Sequence, residues 1–255
     1  MTASRPRLQF YTLGAILAVA VVAARGAEPP IIAKARAYLG ADAALTGVKS
    51  IHYAGTLVTT DPKEANKETR AAMEIIFQKP EQQWISITTD KGIETTALDG
   101  YEGWMQRKSA ANPANTQLTL LGPEQIRRMI ANTWENLWFF RGIEKFGGKL
   151  EDQGTKVMDG VTCQKIAFIH RPNIVFFRYF DVATGRLVFT ETEAGGTIRE
   201  KGEMIVGGIR FPRSIVTSSG KSATAEDQVV TINFEKITVN ETFPAKTFAV
   251  PPPPR

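Results

Sequence analysis

The segment YFDVATGRLVFTE, residues 179–191, consists of two short apolar runs joined by a turn sequence that contains Thr184-Gly185. Glycine adopts the positive φ that tight hairpin turns need, so this segment predicts a β-hairpin. Pairs at Lys91-Gly92, Asp99-Gly100 and Asp159-Gly160 predict further turns of this kind. Because hairpins join neighbouring strands, most of the chain is expected to form an antiparallel sheet.

The chain has 255 residues, of which 43% are hydrophobic and 22% are charged. This composition is ordinary for a globular protein and too apolar for a disordered one. All-β units of this length commonly form one domain, and we expect a single domain over residues 27–255. Cys163 is the only cysteine, so no internal disulfide is expected and the core must hold the fold.

Residues 1–26 have the pattern of a secretory signal peptide, in which Arg5 and Arg7 precede a long apolar run. The run is shorter than the roughly 20 residues that cross a bilayer. We therefore expect cleavage after Gly26 or Ala27 and export to the periplasm. An uncleaved membrane anchor is the alternative.

The net charge argues against a nucleic-acid partner. Three of the 31 basic residues lie in the predicted signal peptide, which leaves 28 against 26 acidic residues and a net charge of about +2. A nucleic-acid-binding domain needs a clustered basic patch. We expect no such partner.

The clearest alternation occurs in RAAMEIIFQKP, residues 70–80. Its apolar members share one predicted face: Ala71, Met73, Ile75 and Phe77. One face of this strand is therefore buried and the other is partly wet. The segment IVFFRYFD, residues 174–181, is apolar on both faces apart from Arg178, so both its faces are expected to be covered. In VVTINFEKITV the phase changes near Glu235-Lys236, which predicts a β-bulge and a curved sheet.

Two segments have helical periodicity. One is PIIAKARAYLGADAAL, residues 30–45, with Gly47 as its expected stop. The other is GPEQIRRMIANTWENLWFF, residues 122–140, in which Pro123 is a typical helix start. A helix inserted between strands must pack on the sheet or plug an opening. The simplest arrangement is a curved antiparallel sheet whose concave side holds the two helices or a ligand.

Sequence signatures of catalysis are missing. His52, His170 and Cys163 lie on separate segments, whereas a metal site needs clustered ligands. The sequence contains no nucleophile elbow, phosphate loop or dinucleotide fingerprint. Glu191 and Glu193 share one side of a strand, as an acid and base pair does, but solvated strand faces look the same. We therefore expect no cofactor, no metal and no enzymatic activity, with an unrecognised hydrolase as a minor alternative.

The order of several segments resembles that of the LolA-like outer-membrane lipoprotein-sorting proteins. These segments are IHYAGTL, Lys79-Pro80, QQWISITTD, LDGYEGWMQ, the mid-chain helix, DVATGRLVFTE, GGIRFPRSI and FPAKTFAVPPP. The similarity extends over essentially the whole of residues 27–255.

The resemblance implies a mainly β fold: a curved, half-open antiparallel β-barrel of about ten or eleven strands. An N-terminal helix and a mid-chain helix cover an apolar cavity that holds acyl chains in this family. It also implies a monomeric periplasmic carrier of lipids or acylated lipoproteins for sorting to the outer membrane, with an inner- or outer-membrane protein as a further partner. A LolA-like envelope sensor or interaction module that binds a membrane partner is the alternative.

The candidate lipid-binding residues come from the alternating strand, the family-like segments and the hairpin. They are Met73, Ile75, Phe77, Trp84, Trp104, Phe177, Tyr179 and Phe189. The competing interpretation is that these side chains are ordinary core, because the sequence does not say which strand face is concave. If the mid-chain helix is the lid, Leu137→Glu is expected to reduce lipid retention.

Overall fold

The computed structural model describes residues 28–61, 67–112, 114–218 and 229–252. The predicted signal peptide, residues 1–26, lies outside these ranges. Within them the chain forms three α-helices: α1 (Pro30–Leu39), α2 (Asp42–Thr46) and α3 (Pro123–Leu137). Two short 3₁₀ helices follow at Ile143–Phe146 and Ala245–Thr247. None of the helices in the described residues is long and apolar enough to cross a membrane.

Strands make up most of the described residues. They are β1 (Ser50–Asp61), β2 (Lys67–Gln78), β3 (Gln82–Thr89), β4 (Gly92–Asp99), β5 (Glu102–Ser109), β6 (Thr116–Leu120), β7 (Lys149–Met158), β8 (Val161–Arg171), β9 (Ile174–Asp181), β10 (Leu187–Thr192), β11 (Thr197–Lys201), β12 (Met204–Val206), β13 (Ile209–Phe211), β14 (Ser214–Ser218) and β15 (Val229–Val239).

One antiparallel sheet contains 13 of these strands, in the order β6-β5-β4-β3-β2-β1-β15-β14-β11-β10-β9-β8-β7. Strand β1 pairs with β2 on one side and with β15 on the other, which joins the two halves of the chain. Strands β6 and β7 are the free edges, so the sheet is not closed. The predicted antiparallel, mainly β architecture is confirmed.

The expected ten or eleven strands are too few, because the main sheet alone has 13 strands and a separate hairpin of two more lies outside it. The extended run over 197–206 breaks at Gly202, whose φ of 64° turns the chain out of the sheet. The run over 209–218 breaks again at Pro212, which has no N–H to donate to a ladder. As a result β12 and β13 form a separate two-stranded hairpin rather than extensions of β11 and β14.

The first predicted helix is also two helices rather than one. Helix α1 ends where Gly40 forms an isolated bridge with Ile209 of β13. A Cβ atom on Gly40 would lie 2.5 Å from the carbonyl oxygen of Gly208, so only glycine allows this approach. Helix α2 then ends before Gly47, as predicted.

The predicted hairpin at residues 179–191 is confirmed as β9, a turn and β10. Asp181 organises the turn by accepting hydrogen bonds from the Ala183 amide at 2.8 Å and the Thr184 hydroxyl at 2.7 Å. Gly185 has a φ of 82°, and the backbone of Lys34 in α1 lies against it. The turn therefore contacts α1 as well as closing the hairpin.

The predicted β-bulge is confirmed at the same place. Ala54 pairs with Lys236 and Gly55 pairs with Phe234, so Glu235 is the extra residue in β15. Bulges bend and twist a sheet.

Helix α3 begins at Pro123, as predicted, and is fixed between the two arms of the sheet. The hydroxyl of Thr133 donates to the side-chain oxygen of Gln83 in β3 at 3.1 Å. On the opposite side Glu135 contacts His170 of β8 at 2.6 Å. Leu137 has no exposed surface. These buried contacts make α3 part of the core.

Candidate functional site

A cavity of about 680 Å³ lies between the inner face of the sheet and the helices. This volume falls within the range of about 300–1,000 Å³ that is typical of small-molecule sites. Side chains of the central strands β1, β2, β3, β9, β10, β11, β14 and β15 form its walls, together with residues from α1, α3 and the β12–β13 hairpin. The cavity thus occupies the concave side of the curved sheet.

One wall of the cavity is aromatic and aliphatic. Tyr53 lies at its centre, with its ring centroid 6.3 Å from Phe77, 6.1 Å from Phe211 and 4.8 Å from Phe234. Burial, and to a smaller extent the nearby Glu200, raises the pKa of Tyr53, so its phenol is neutral at physiological pH. We call this the apolar wall; its other members are Ile75, Ile85, Ile215 and Ile232.

A buried ion pair also borders the cavity. Nη2 of Arg178 is 2.5 Å from Oε2 of Glu135, and Nε2 of His170 is 2.6 Å from Oε1 of the same carboxylate. The guanidinium lies 4.8 Å from the ring centre of Phe140 and 5.0 Å from that of Phe168, which is favourable cation–π geometry. Nε and Nη1 of Arg178 are buried and have no hydrogen-bond partner in the described part of the chain.

Glu200 of β11 also faces the cavity. Its carboxylate makes no hydrogen bond or ion pair with any described residue. Burial among protein atoms raises its pKa, and the positive charges of Arg178 and Arg186 partly oppose this effect. Its side chain is nevertheless exposed on β11 rather than packed against neighbours.

The rim of the cavity joins α1 to the β12–β13 hairpin. The hydroxyl of Tyr38 donates a hydrogen bond to the carboxylate of Glu203, and Nη1 of Arg210 donates to it at 2.7 Å. These two bonds hold the pKa of Glu203 below its usual range. The Arg210 guanidinium lies 5.3 Å from the centre of the Tyr38 ring. Arg186, in the β9–β10 turn, lies exposed on the same rim.

Comparison with solved structures identifies the fold. A LolA superfamily protein from Nitrosomonas europaea superposes with a TM-score of 0.57 at 13% identity, covering 86% of this chain and 96% of that one. A DUF1329 family protein from Desulfovibrio piger superposes with a TM-score of 0.56 at 9% identity, covering 86% and 95%. This chain has a LolA-like fold. No protein-family model and no curated protein sequence matches it.

In this LolA-like fold, the predicted strand over residues 70–80 does face the cavity. Ile75 and Phe77 of β2 line it. Met73 lies on the same face of the strand but is covered by the surrounding core. The structure brings these three side chains together, and their contact with lipid stays a prediction.

The two predicted tryptophans lie on the opposite face of the sheet. Ile85 lines the cavity, so the side chain of its neighbour Trp84 points to the other face of the sheet. Trp84 pairs with Ala97 of β4, and Ala97 pairs with Trp104 of β5, so both tryptophans lie on that other face. Nε1 of Trp104 donates a 2.8 Å hydrogen bond to the carbonyl of Phe248 in the C-terminal segment. Trp84 and Trp104 are therefore on the convex side, away from the cavity.

The predicted hairpin residues also point outward. Phe177, Tyr179 and Phe189 pack with Cys163 in a small cluster on the outer face of β8, β9 and β10. The ammonium of Lys165 lies 4.3 Å from the ring centre of Phe177 on this face. The inner face of β9 carries Phe176, Arg178 and Phe180 instead.

The sequence analysis did not identify several aromatic and charged residues that line the cavity. Tyr53 and Phe234 lie in strands whose sequences alternate between larger apolar and more polar residues, and this alternation was a usable signal. Arg178 is the charged residue in the middle of an otherwise apolar run, Ile174 to Phe180, which was a second signal. Glu200 and the β12–β13 hairpin had no signal of this kind, because neither lies in a clear apolar pattern.

Proposed function

We propose that the protein is a non-catalytic periplasmic carrier, which binds the acyl chains of lipids or lipoproteins in the cavity and delivers them toward the outer membrane. The observation that supports this proposal is the large cavity on the concave face, with its continuous apolar wall. The LolA-like fold and the signal-peptide pattern of residues 1–26 agree with it.

The apolar wall supplies the driving force that such a carrier needs. Burial of each methylene group of an acyl chain contributes about 0.8 kcal/mol. Binding of this kind requires a water-excluding cavity and a way in, but no reactive group.

The way in is proposed to lie between α1 and the β12–β13 hairpin rather than under α3. Leu137 of α3 is fully buried and does not border the cavity. Leu137→Glu would place an unpaired charge in the core, so it would unfold the protein rather than open a lid. The rim contact of Tyr38 with Glu203 is instead the side-chain connection that has to break, together with the Gly40–Ile209 backbone bridge, for the hairpin to move away from α1.

Tyr38→Phe is expected to release a bound fatty acid about fivefold faster, because it removes one hydrogen bond worth roughly 1 kcal/mol. The measurement is stopped-flow release of a fluorescent fatty acid into vesicles. Tyr101→Phe is the matched control, since Tyr101 is 82% exposed on the turn between β4 and β5. Equal release rates for wild type and Tyr38→Phe would contradict this entry route.

The proposed function is tested by a mass-spectrometric inventory of lipids extracted from the protein after native purification from the periplasm of its host. The carrier proposal expects acyl lipid or lipopeptide in near-stoichiometric amount. Lipid-free protein that purifies with a membrane protein would overturn it and support the sensor or interaction module.

A further inference from the structure

The size of the cavity limits how much hydrocarbon it can hold. Its volume is about 680 Å³. A methylene group is close in size to a water molecule, which takes up roughly 30 Å³ in the liquid, so the cavity holds on the order of 22 such groups. A chain of about 16 to 18 carbons with a small head therefore fills it, whereas two chains of 16 carbons would need roughly 960 Å³.

Part of the boundary is polar, which lowers the share of the volume that suits a hydrocarbon chain. Asn132, Glu135 and Asn136 of α3 line the cavity, as do Thr190 of β10 and Thr217 of β14. Burial against such groups without a hydrogen-bonding partner is unfavourable for them. The count of methylene groups from the volume is therefore an upper limit.

The contacts of α3 oppose any widening of the cavity between the two arms of the sheet. The buried hydroxyl of Thr133 donates to the side-chain oxygen of Gln83 in β3 at 3.1 Å. On the other arm, the carboxylate of Glu135 lies 2.5 Å from Nη2 of Arg178 in β9. Moving the arms apart to admit a second chain would break these contacts and leave buried polar groups without partners.

The floor of the cavity is held by aromatic rings that contact one another. Tyr53, Phe77 and Phe234 come from the neighbouring strands β2, β1 and β15, and all three side chains are buried. The Tyr53 ring centroid lies 6.3 Å from that of Phe77 and 4.8 Å from that of Phe234. Because close-packed rings have little room to change rotamer, the floor cannot recede to make space.

We infer that the ligand is an amphiphile with a single long acyl chain, and that the cavity holds one such molecule at a time. This inference rests on the proposed function and narrows its cargo. A free fatty acid and a lysophospholipid share this chemistry. Lipids with two or more long chains exceed the capacity of the cavity.

The test compares lipids that differ in the number of chains and share the head. Protein stripped of lipid is mixed with 1-palmitoyl-lysophosphatidylcholine or with dipalmitoyl phosphatidylcholine, each delivered from cyclodextrin. Native mass spectrometry counts the bound molecules, and displacement of a fluorescent fatty acid reports binding in the cavity. The lysolipid is expected to form a one-to-one complex and to displace the fluorescent probe at a concentration at least tenfold lower than the diacyl lipid. Palmitate, measured alongside, distinguishes the two sources of a single chain.

Chain length gives a second measure of capacity. In a series of saturated fatty acids, affinity is expected to rise about fourfold per methylene group and then to level off once the cavity is full. The estimate from the volume places this limit at roughly 18 to 22 carbons. The measurement is competition with the same fluorescent fatty acid.

Ile232→Ala removes three carbon atoms from the apolar wall and is expected to move this limit about three carbons further. Val216→Ala is the matched control, because Val216 points to the opposite face of the sheet. Ile215 pairs with Ile232 across β14 and β15, so Ile215→Ala provides the same measurement if Ile232→Ala does not fold. A limit that stays unchanged in a folded variant of the wall would contradict a capacity set by the cavity.

The failure of this inference can be told apart from the failure of the carrier proposal. Equal displacement by the lysolipid and the diacyl lipid, or two lysolipids bound per protein as the probe is displaced, would overturn the single-chain inference and leave the carrier proposal standing. If none of the palmitoyl lipids forms a complex, the carrier proposal itself is overturned.

Discussion

Arg178→Met is expected to lower the free energy of unfolding by about 3–5 kcal/mol, because it leaves the Glu135 carboxylate buried without its ion-pair partner. The side chain of Glu135 is only 3% exposed, and His170 is the contact that its carboxylate would keep. The same substitution also removes the cation between the rings of Phe140 and Phe168. Urea denaturation followed by tryptophan fluorescence measures the change.

The double variant Glu135→Gln with Arg178→Met distinguishes the cost of an unpaired buried charge from the cost of the lost packing between Phe140 and Phe168. It is expected to recover a large part of the stability, since no unpaired charge remains at this place. A loss below about 1 kcal/mol for Arg178→Met alone would contradict the buried ion pair, because such a value is typical of exposed pairs.

Ile215→Trp is expected to weaken acyl-chain binding by at least tenfold. Ile215 of β14 lies on the apolar wall and is only partly covered, so the larger indole extends into the space that the chain would occupy. A tenfold loss corresponds to about 1.4 kcal/mol, less than the burial of two methylene groups. Calorimetric titration with dodecanoate measures the affinity.

Val216→Trp is the matched control for this substitution. Val216 is the next residue in the same strand and points to the opposite face of the sheet. It is expected to leave the affinity unchanged. If both tryptophan variants bind equally well, the acyl chain does not lie on the concave face at β14.

The turns, the start of α3 and the bulge could be predicted because they depend on residues that are close in sequence. Asp181 and Gly185 define one turn chemically, Pro123 occupies the first position of a helix, where proline is favoured, and the phase change at Glu235 marks a bulge. The separate β12–β13 hairpin did not follow, because the chain leaves the sheet at Gly202 and Pro212 and the hairpin packs near Gly40, far away in sequence.

The cavity was harder to predict because alternation separates two faces without saying which one is concave. Ile75 and Phe77 border the cavity, while Trp84 on the next strand lies on the convex side. The inner face of β3 carries the buried polar residue Gln83, which obscures the pattern there. Trp104 donates a hydrogen bond to the carbonyl of Phe248, which is 144 residues away in sequence. A contact over this distance cannot be predicted from a local sequence pattern.

The position of the entry route is likewise a consequence of long-range contacts. Leu137 has the periodicity of a lid residue, but α3 is held on one side by Gln83 and on the other by His170. Tyr38 and Glu203, which meet at the rim, are separated by 165 residues. The sequence alone could not bring them together.

The most direct test of the account is photo-crosslinking with a fatty acid that carries a diazirine in its chain, followed by peptide mapping of the labelled sites. Labels are expected on the apolar wall, in β1, β2, β14 and β15, at residues such as Ile75 and Ile232. Labels confined to the convex side, around Trp84 and Trp104, or no specific labelling, would contradict an acyl-binding cavity on the concave face.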